Sequence, residues 1–444
     1  MKLRQRIITA AALLILAVMF AFEITSSRQE SQTIDEAVHL AAGYSYWKTG
    51  DFRMNPEHPP LIKMLAAFPL LFTKATLPTH DPSWQKVDEW KFGEVFLYHN
   101  TLSPDTLLLL GRLPIMLLSL VLGWAIFRAS GAMFGTVAGF LSLGLYAFDP
   151  NVIAHSRYVT TDLGFTALMF FSLLALQKLL AQPNRKHAVW FGLALFVTSL
   201  SKFSFPVLVV ALLVLLAVLK ALQPHHPALQ WSRWGQGLLV AIPIALVATW
   251  AVYGFELRRP VDDPRVMYLY QQRQDLLGSK LLAEQSPWKR YVVTTLGDQT
   301  KGIGKTAAHL LTLRYPLYSF FRGSISVLGH SEIGQSSFVL GQFGNQGWWY
   351  YFPVAFFTKT PPLTLLMFLG SAVGFVMLLI KTRHERKSWL DGFRSLDRRW
   401  YLLGIPAVVY FGFSLFSHLD LGWRYLMPIY PPLFVMSGSV VMVP

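Results

Sequence analysis

The chain has no cysteine. That excludes a disulfide framework, thiolate catalysis and cysteine-ligated metal together, and leaves the compartment open. Charge is also scarce. Only 14% of the 444 residues are Asp, Glu, Lys or Arg, against about a quarter in soluble proteins. Acids are the scarcer sign, 24 against 39 Lys and Arg. No glycine-rich loop of the P-loop type occurs, so nothing points to a nucleotide. No internal repeat is present either, which removes the usual sequence sign of an inverted-repeat transporter.

What remains is apolar: 53% of residues are hydrophobic. Several runs approach the ~20 residues that cross a bilayer. The expectation is an all-α polytopic membrane protein with about ten spans, near residues 7–22, 107–127, 132–148, 160–180, 188–200, 205–222, 235–254, 362–380, 401–417 and 425–443. The net charge of +15 then reads as membrane orientation, not as nucleic-acid binding. The basic N-terminus, the Asn184-Arg185-Lys186 turn and the 381–400 loop all fall on one side if ten crossings are made. That side is expected to be cytoplasmic. The first run reads as a signal anchor, since no small-x-small cleavage site follows it.

Five regions follow. Residues 1–22 are the anchor, 23–106 a first extracytoplasmic loop with surface helices, and 107–254 a transmembrane bundle. Residues 255–361 are a second outer loop and 362–444 the C-terminal spans. The chain closes on Val443-Pro444 with no basic flank, which reads as a shortened chain.

Polar chemistry gathers in the outer loops. Thr33-Ile34-Asp35-Glu36 has the spacing of a capping box, with the helix expected to run to Lys48 and close at Gly50-Asp51. Its apolar residues suit a helix lying on the membrane surface. Asp35 and Glu36 could merely complement the helix dipole, but His39 stands one turn on, beside both. A metal pair from Glu36 or Asp35 with His39 is one alternative, although spacing fixes no third or fourth ligand, and Glu57 with His39 or His58 could hold a divalent ion that replaces an arginine. Glu57-His58-Pro59-Pro60 is a rigid turn into a second helix bearing Lys63. Arg112 stands near the outer end of a span, where a charge is a functional hypothesis by default. Asp162 lies at the membrane surface, where Arg157, itself a candidate substrate ligand, or the reacting centre is its expected partner. Lys202, Lys359 and Arg424 stand at outer span ends, as headgroup anchors or phosphate ligands. Trp348 and Trp349 suit an interfacial belt.

Together these residues resemble a family. The Asp-Glu pair followed by EHPPLIK is similar to the dolichyl-phosphate-mannose protein O-mannosyltransferases. It also resembles their bacterial relatives, phospholipid-carrier-dependent glycosyltransferases of multi-span GT-C architecture. Arg112-Leu113-Pro114, Arg157 with Asp162, GWWYYFP with Lys359-Thr360-Pro361, and Gly422-Trp423-Arg424-Tyr425 extend the likeness in order along the chain.

The resemblance implies an integral protein of a bacterial inner membrane with its site outside. It implies a polyprenyl-phosphate sugar donor, a mannosyl-type hexose, an inverting transfer and a protein, lipid or glycan acceptor. It makes Asp35 the base, puts Glu36 against acceptor or sugar, and makes Asp162 the second acid of the cavity. Arg112 and the His58–Lys63 region would hold the donor phosphate. The resemblance names no definite cofactor and leaves room for a divalent metal. No β-trefoil insertion is visible, which weakens the case for a protein acceptor. The competing class is a transporter or channel without transferase activity; it predicts charges at mid-span, where this chain has almost none.

Overall fold

The computed structural model describes residues 2–223, 231–263, 306, 309–386 and 388–442. The chain begins with α1 (Lys2–Ser27), apolar through most of its length. Four shorter helices follow: α2 (Glu36–Thr49), α3 (Pro60–Ala67), α4 (Pro82–Lys86) and α5 (Glu89–Tyr98). Then come α6 (Pro104–Phe134), α7 (Thr136–Ala147), α8 (Pro150–Ser156), α9 (Thr161–Ala181), α10 (Arg185–Ser199), α11 (Phe205–Leu222) and α12 (Trp231–Val252). Strand β1 (Leu257–Arg258) pairs antiparallel with β2 (Tyr315–Pro316) ahead of α13 (Tyr318–Ile333). A hairpin, β3 (Ser337–Val339) with β4 (Gln342–Gly344), precedes α14 (Tyr351–Lys359). The chain continues as α15 (Pro362–Arg386), α16 (Trp389–Ser395), α17 (Arg398–Ser414), α18 (Trp423–Leu426) and α19 (Tyr430–Ser437). Much of the expected second outer loop lies outside the described residues.

All ten expected apolar runs are helical. Among the described residues six helices are long and apolar enough to cross a bilayer, or seven if the bent pair α7–α8 (64°) makes one span. Three of the expected spans fall short: α10 has 15 residues, α17 has 17, and α12 is apolar enough only over Ala241–Val252. At 1.5 Å per residue, 15 residues rise about 22 Å, less than a hydrocarbon core of about 30 Å. Among the described residues, length and composition by themselves carry six or seven crossings of the ten expected.

Local signals in the first loop hold, but the helix they start is not a surface helix. Glu36 Oε2 accepts from the Thr33 amide at 2.8 Å, which is half of the capping box. Gly50, at φ 65°, ends α2 in the left-handed region, which glycine adopts at little cost. In between, residues 36–46 are all buried. Small side chains let neighbours close on every side. A Cβ on Gly43 would stand 2.0 Å from the Lys63 carbonyl oxygen, and one on Gly93 of α5 would stand 2.9 Å from the backbone at Ala37 and Val38. Helix α2 is thus a central rod under α3 and α5, and its N-terminus is fixed for the site below.

Candidate active site

Asp35 and Glu36 are neighbours in sequence and opposites in setting. Glu36 is fully buried. Arg112 clamps it bidentately, Nε to Oε1 at 2.8 Å and Nη2 to Oε2 at 2.6 Å. The amides of Val159 (3.0 Å) and Thr33 complete its shell. Arg112 also donates to the carbonyls of Ser27, Glu30 and Ser31 at 2.9, 3.3 and 2.9 Å. Each nitrogen of this fully buried guanidinium is engaged, so it has no free edge for a phosphate. The phosphate role expected for Arg112 and the substrate contact expected for Glu36 do not fit this geometry. The two residues lock the α1–α2 connection onto α6.

Lys63 is also withdrawn. Its Nζ donates to Asn55 O (2.6 Å), His58 O (2.7 Å), Tyr46 Oη (2.9 Å) and Asn55 Oδ1 (3.2 Å). It pins the 55–58 turn from within. Burial pulls its ammonium down to about 7, against the raising effect of Glu57 and Glu89. The proline turn is further tied to the α10–α11 connection, where the Leu61 amide donates to Leu200 O at 3.1 Å.

Asp35, one residue before α2, is part-exposed. Its Oδ2 accepts from Arg424 Nη1 at 2.5 Å, and the two side chains are 22% and 26% exposed. Among the described residues Asp35 Oδ1 and Arg424 Nε and Nη2 carry no further protein bond. Arg424 sits on α18 just after Gly422, whose φ is 74°. Neighbouring Trp423 stacks on His155 at 5.6 Å, which fixes the short helix.

Asp162 does not pair with Arg157. It is buried at the start of α9 and bonded to Lys202 Nζ at 2.5 Å, while the charge of Arg424 also bears on it. Arg157 turns instead to Glu30, with Nε to Oε2 at 2.9 Å and a second bond from Nη2 to Oε1. Glu30 and Tyr158 of this cluster carried no motif in the sequence. Lys359 is exposed at the end of α14, where its carbonyl accepts from Asn151 Nδ2 at 2.7 Å.

Two histidines line the same region, 5.4 Å apart and edge to face. Burial lowers both, so both are neutral near pH 7. His39 Nδ1 lies 2.9 Å from the Val159 carbonyl. His58 Nδ1 is buried with no protein partner, and the charges of Lys202 and Lys63 bear on this ring. Among the described residues no group of three or more acids and histidines is placed to hold a metal ion. Glu57 Oε2 accepts from Asn55 Nδ2 at 3.2 Å instead. The site is therefore two acid–cation pairs, Asp35 with Arg424 and Asp162 with Lys202, joined through Arg424 and flanked by neutral imidazoles.

Comparison with known proteins agrees with the motifs. Residues 107–253, the bundle from α6 to α12, match the family model described as dolichyl-phosphate-mannose-protein mannosyltransferase. The fold is ArnT-like. ArnT from Cupriavidus metallidurans bound to undecaprenyl phosphate matches with a TM-score of 0.55 at 15% identity, over 98% of this chain and 61% of that one. Its apo state matches at 0.50 and 16%, over 98% and 60%. The chain thus spans about three-fifths of the length of ArnT, and at such identity the likeness is one of fold. No curated protein matches in sequence. The resemblance to phospholipid-carrier-dependent GT-C glycosyltransferases stands on a family-model match and a shared membrane fold. The model match excludes both ends of the site, the 35–63 segment and Arg424.

Proposed function

We propose that this chain is an inverting glycosyltransferase. It moves a sugar, of the mannosyl type by the family description, from a polyprenyl-phosphate carrier to a hydroxyl of a protein, lipid or glycan. The reaction takes place at the extracytoplasmic face. That face is favoured by the Lys- and Arg-rich 381–400 loop, which positive charge assigns to the cytoplasm.

The observation that carries the reading is the Asp35–Arg424 pair: a part-exposed carboxylate with one oxygen open, beside a guanidinium with one edge open. Displacing a lipid phosphate from a sugar carbon needs a base on the acceptor hydroxyl. It also needs cations for the charge growing on the leaving phosphate, and the two partners held in line. Asp35 Oδ1 serves as the base. Of the expected cations, Arg112 and Lys63 are enclosed and Arg157 is held by Glu30. The phosphate role passes to Arg424, with Lys202, whose ammonium has donors left beyond its bond to Asp162, over the adjacent Tyr425 ring. The neutral ring of His58, with Nδ1 unclaimed, supplies a hydrogen bond to donor sugar or phosphate. One displacement without a covalent intermediate inverts the anomeric carbon. The donor carries its own activation, so no nucleotide enters.

The test is donor-lipid binding by the purified protein. Arg424→Gln and Lys202→Met should each weaken undecaprenyl phosphate binding by tenfold or more, since a charge-assisted bond is worth about 1.5–3 kcal/mol. Lys359→Ala should leave it unchanged. Undiminished binding in both of the first two variants would overturn the phosphate assignment. A product that retains the donor's anomeric configuration would overturn the single displacement.

A further inference from the structure

We propose that Arg424, paired through one oxygen of Asp35, holds this carboxylate as a weak base until a donor phosphate claims the guanidinium, so that donor binds before acceptor. The inference rests on the reading above of Asp35 as base and Arg424 as phosphate ligand. Both side chains stand on fixed supports. Asp35 precedes Glu36, which Arg112 clamps. Arg424 follows Trp423, which is wedged between His155 at 5.6 Å and Tyr430 at 4.5 Å. The contact between them is made by rotatable tips, each about a quarter exposed. Such pairs contribute little, because solvent screens them. A phosphate offers the same guanidinium a bidentate partner with greater charge; it enters on the edge that carries no protein bond and, as the fork turns to it, takes Nη1 from Asp35. The exchange is favourable and needs no movement of helices. With Arg424 turned to phosphate, both oxygens of Asp35 are free to accept from a hydroxyl. Lys202 holds Asp162 separately, at 2.5 Å, so the second pair does not take over the vacated carboxylate.

Affinity for undecaprenyl phosphate, measured on the full chain in lipid nanodiscs, tests this directly. The exchange makes Asp35 a competitor for Arg424. Asp35→Asn should therefore bind the lipid about two- to fivefold tighter, the range set by a screened pair. Arg424→Gln should bind more weakly, and the double variant should match Arg424→Gln. Unchanged binding in Asp35→Asn would overturn the proposal. So would an equal gain from Asp35→Asn in the Arg424→Gln background, which is plain repulsion between carboxylate and phosphate. Normal binding by Arg424→Gln instead removes the phosphate assignment beneath it. If Arg424→Gln does not purify as a single species, Arg424→Lys replaces it. Lysine keeps the pair without the fork, so binding weakens while the gain from Asp35→Asn persists; loss of that gain counts against the exchange.

Discussion

Arg112→Ala should destabilise the fold before it touches chemistry. The guanidinium is fully buried and makes two bonds to Glu36 and three to the carbonyls of Ser27, Glu30 and Ser31. Its removal leaves a buried carboxylate held only by the amides of Thr33 and Val159. Breaking a buried pair from one side costs about 3–5 kcal/mol. Glu36→Ala should cost a similar amount for the mirror-image reason. The double variant should cost much less than the sum, because neither charge is then stranded. It should not return to wild type, since the amides and carbonyls stay unpaired at about 1 kcal/mol or more each. Arg112→Lys should lie near Arg112→Ala, because a point charge cannot fill the fork. Thermal midpoints in detergent, followed by size-exclusion chromatography, give the comparison. A stable Arg112→Ala protein that has lost only lipid binding would refute the clamp and restore Arg112 as a phosphate ligand.

Asp35→Asn should lower transfer ~10²–10⁴-fold, the usual range for losing a general base, with the fold intact; turnover close to wild type would reject Asp35. Lys63 sets a pH dependence of stability. Its folded value of about 7 lies below the unfolded value of 10.5, so between these the unfolded chain binds more protons and stability rises with pH. The rise should begin near pH 7 and be missing from Lys63→Met; a profile shared by both proteins would count against the burial argument. Topology is testable cleanly because the chain has no cysteine. A Ser388→Cys variant should resist an impermeant thiol reagent applied from outside, and ready labelling would invert the assigned orientation.

The helices were legible because apolar runs and caps are local. The TIDE start and the Gly50 stop of α2 needed only neighbouring residues. Which runs span was less legible, since α10, α17 and the apolar part of α12 fall short of the length that crosses a bilayer. Burial of α2 was missed for a related reason: Ala41, Ala42, Gly43 and Ser45 are small, and small residues accept neighbours on any face. The site divided the same way. Asp35, Glu36, His58 and Asp162 stood out by type and spacing, but their partners lie far along the chain. Arg112 is 76 residues from Glu36, Lys202 is 40 from Asp162 and Arg424 is 389 from Asp35. The nearest opposite charge in sequence, Arg157, was expected on Asp162; Glu30, reaching in after α1, holds it instead. A lone carboxylate in a sequence gives the need for a cation without saying which one.

The most direct measurement follows a panel of polyprenyl-phosphate sugars incubated with the purified protein and a membrane extract as acceptor source. One donor should be consumed, with free polyprenyl phosphate and an anomerically inverted glycoside appearing together, by wild type and not by Asp35→Asn. If no member of the panel is bound or consumed, the chain does not use a polyprenyl-phosphate donor.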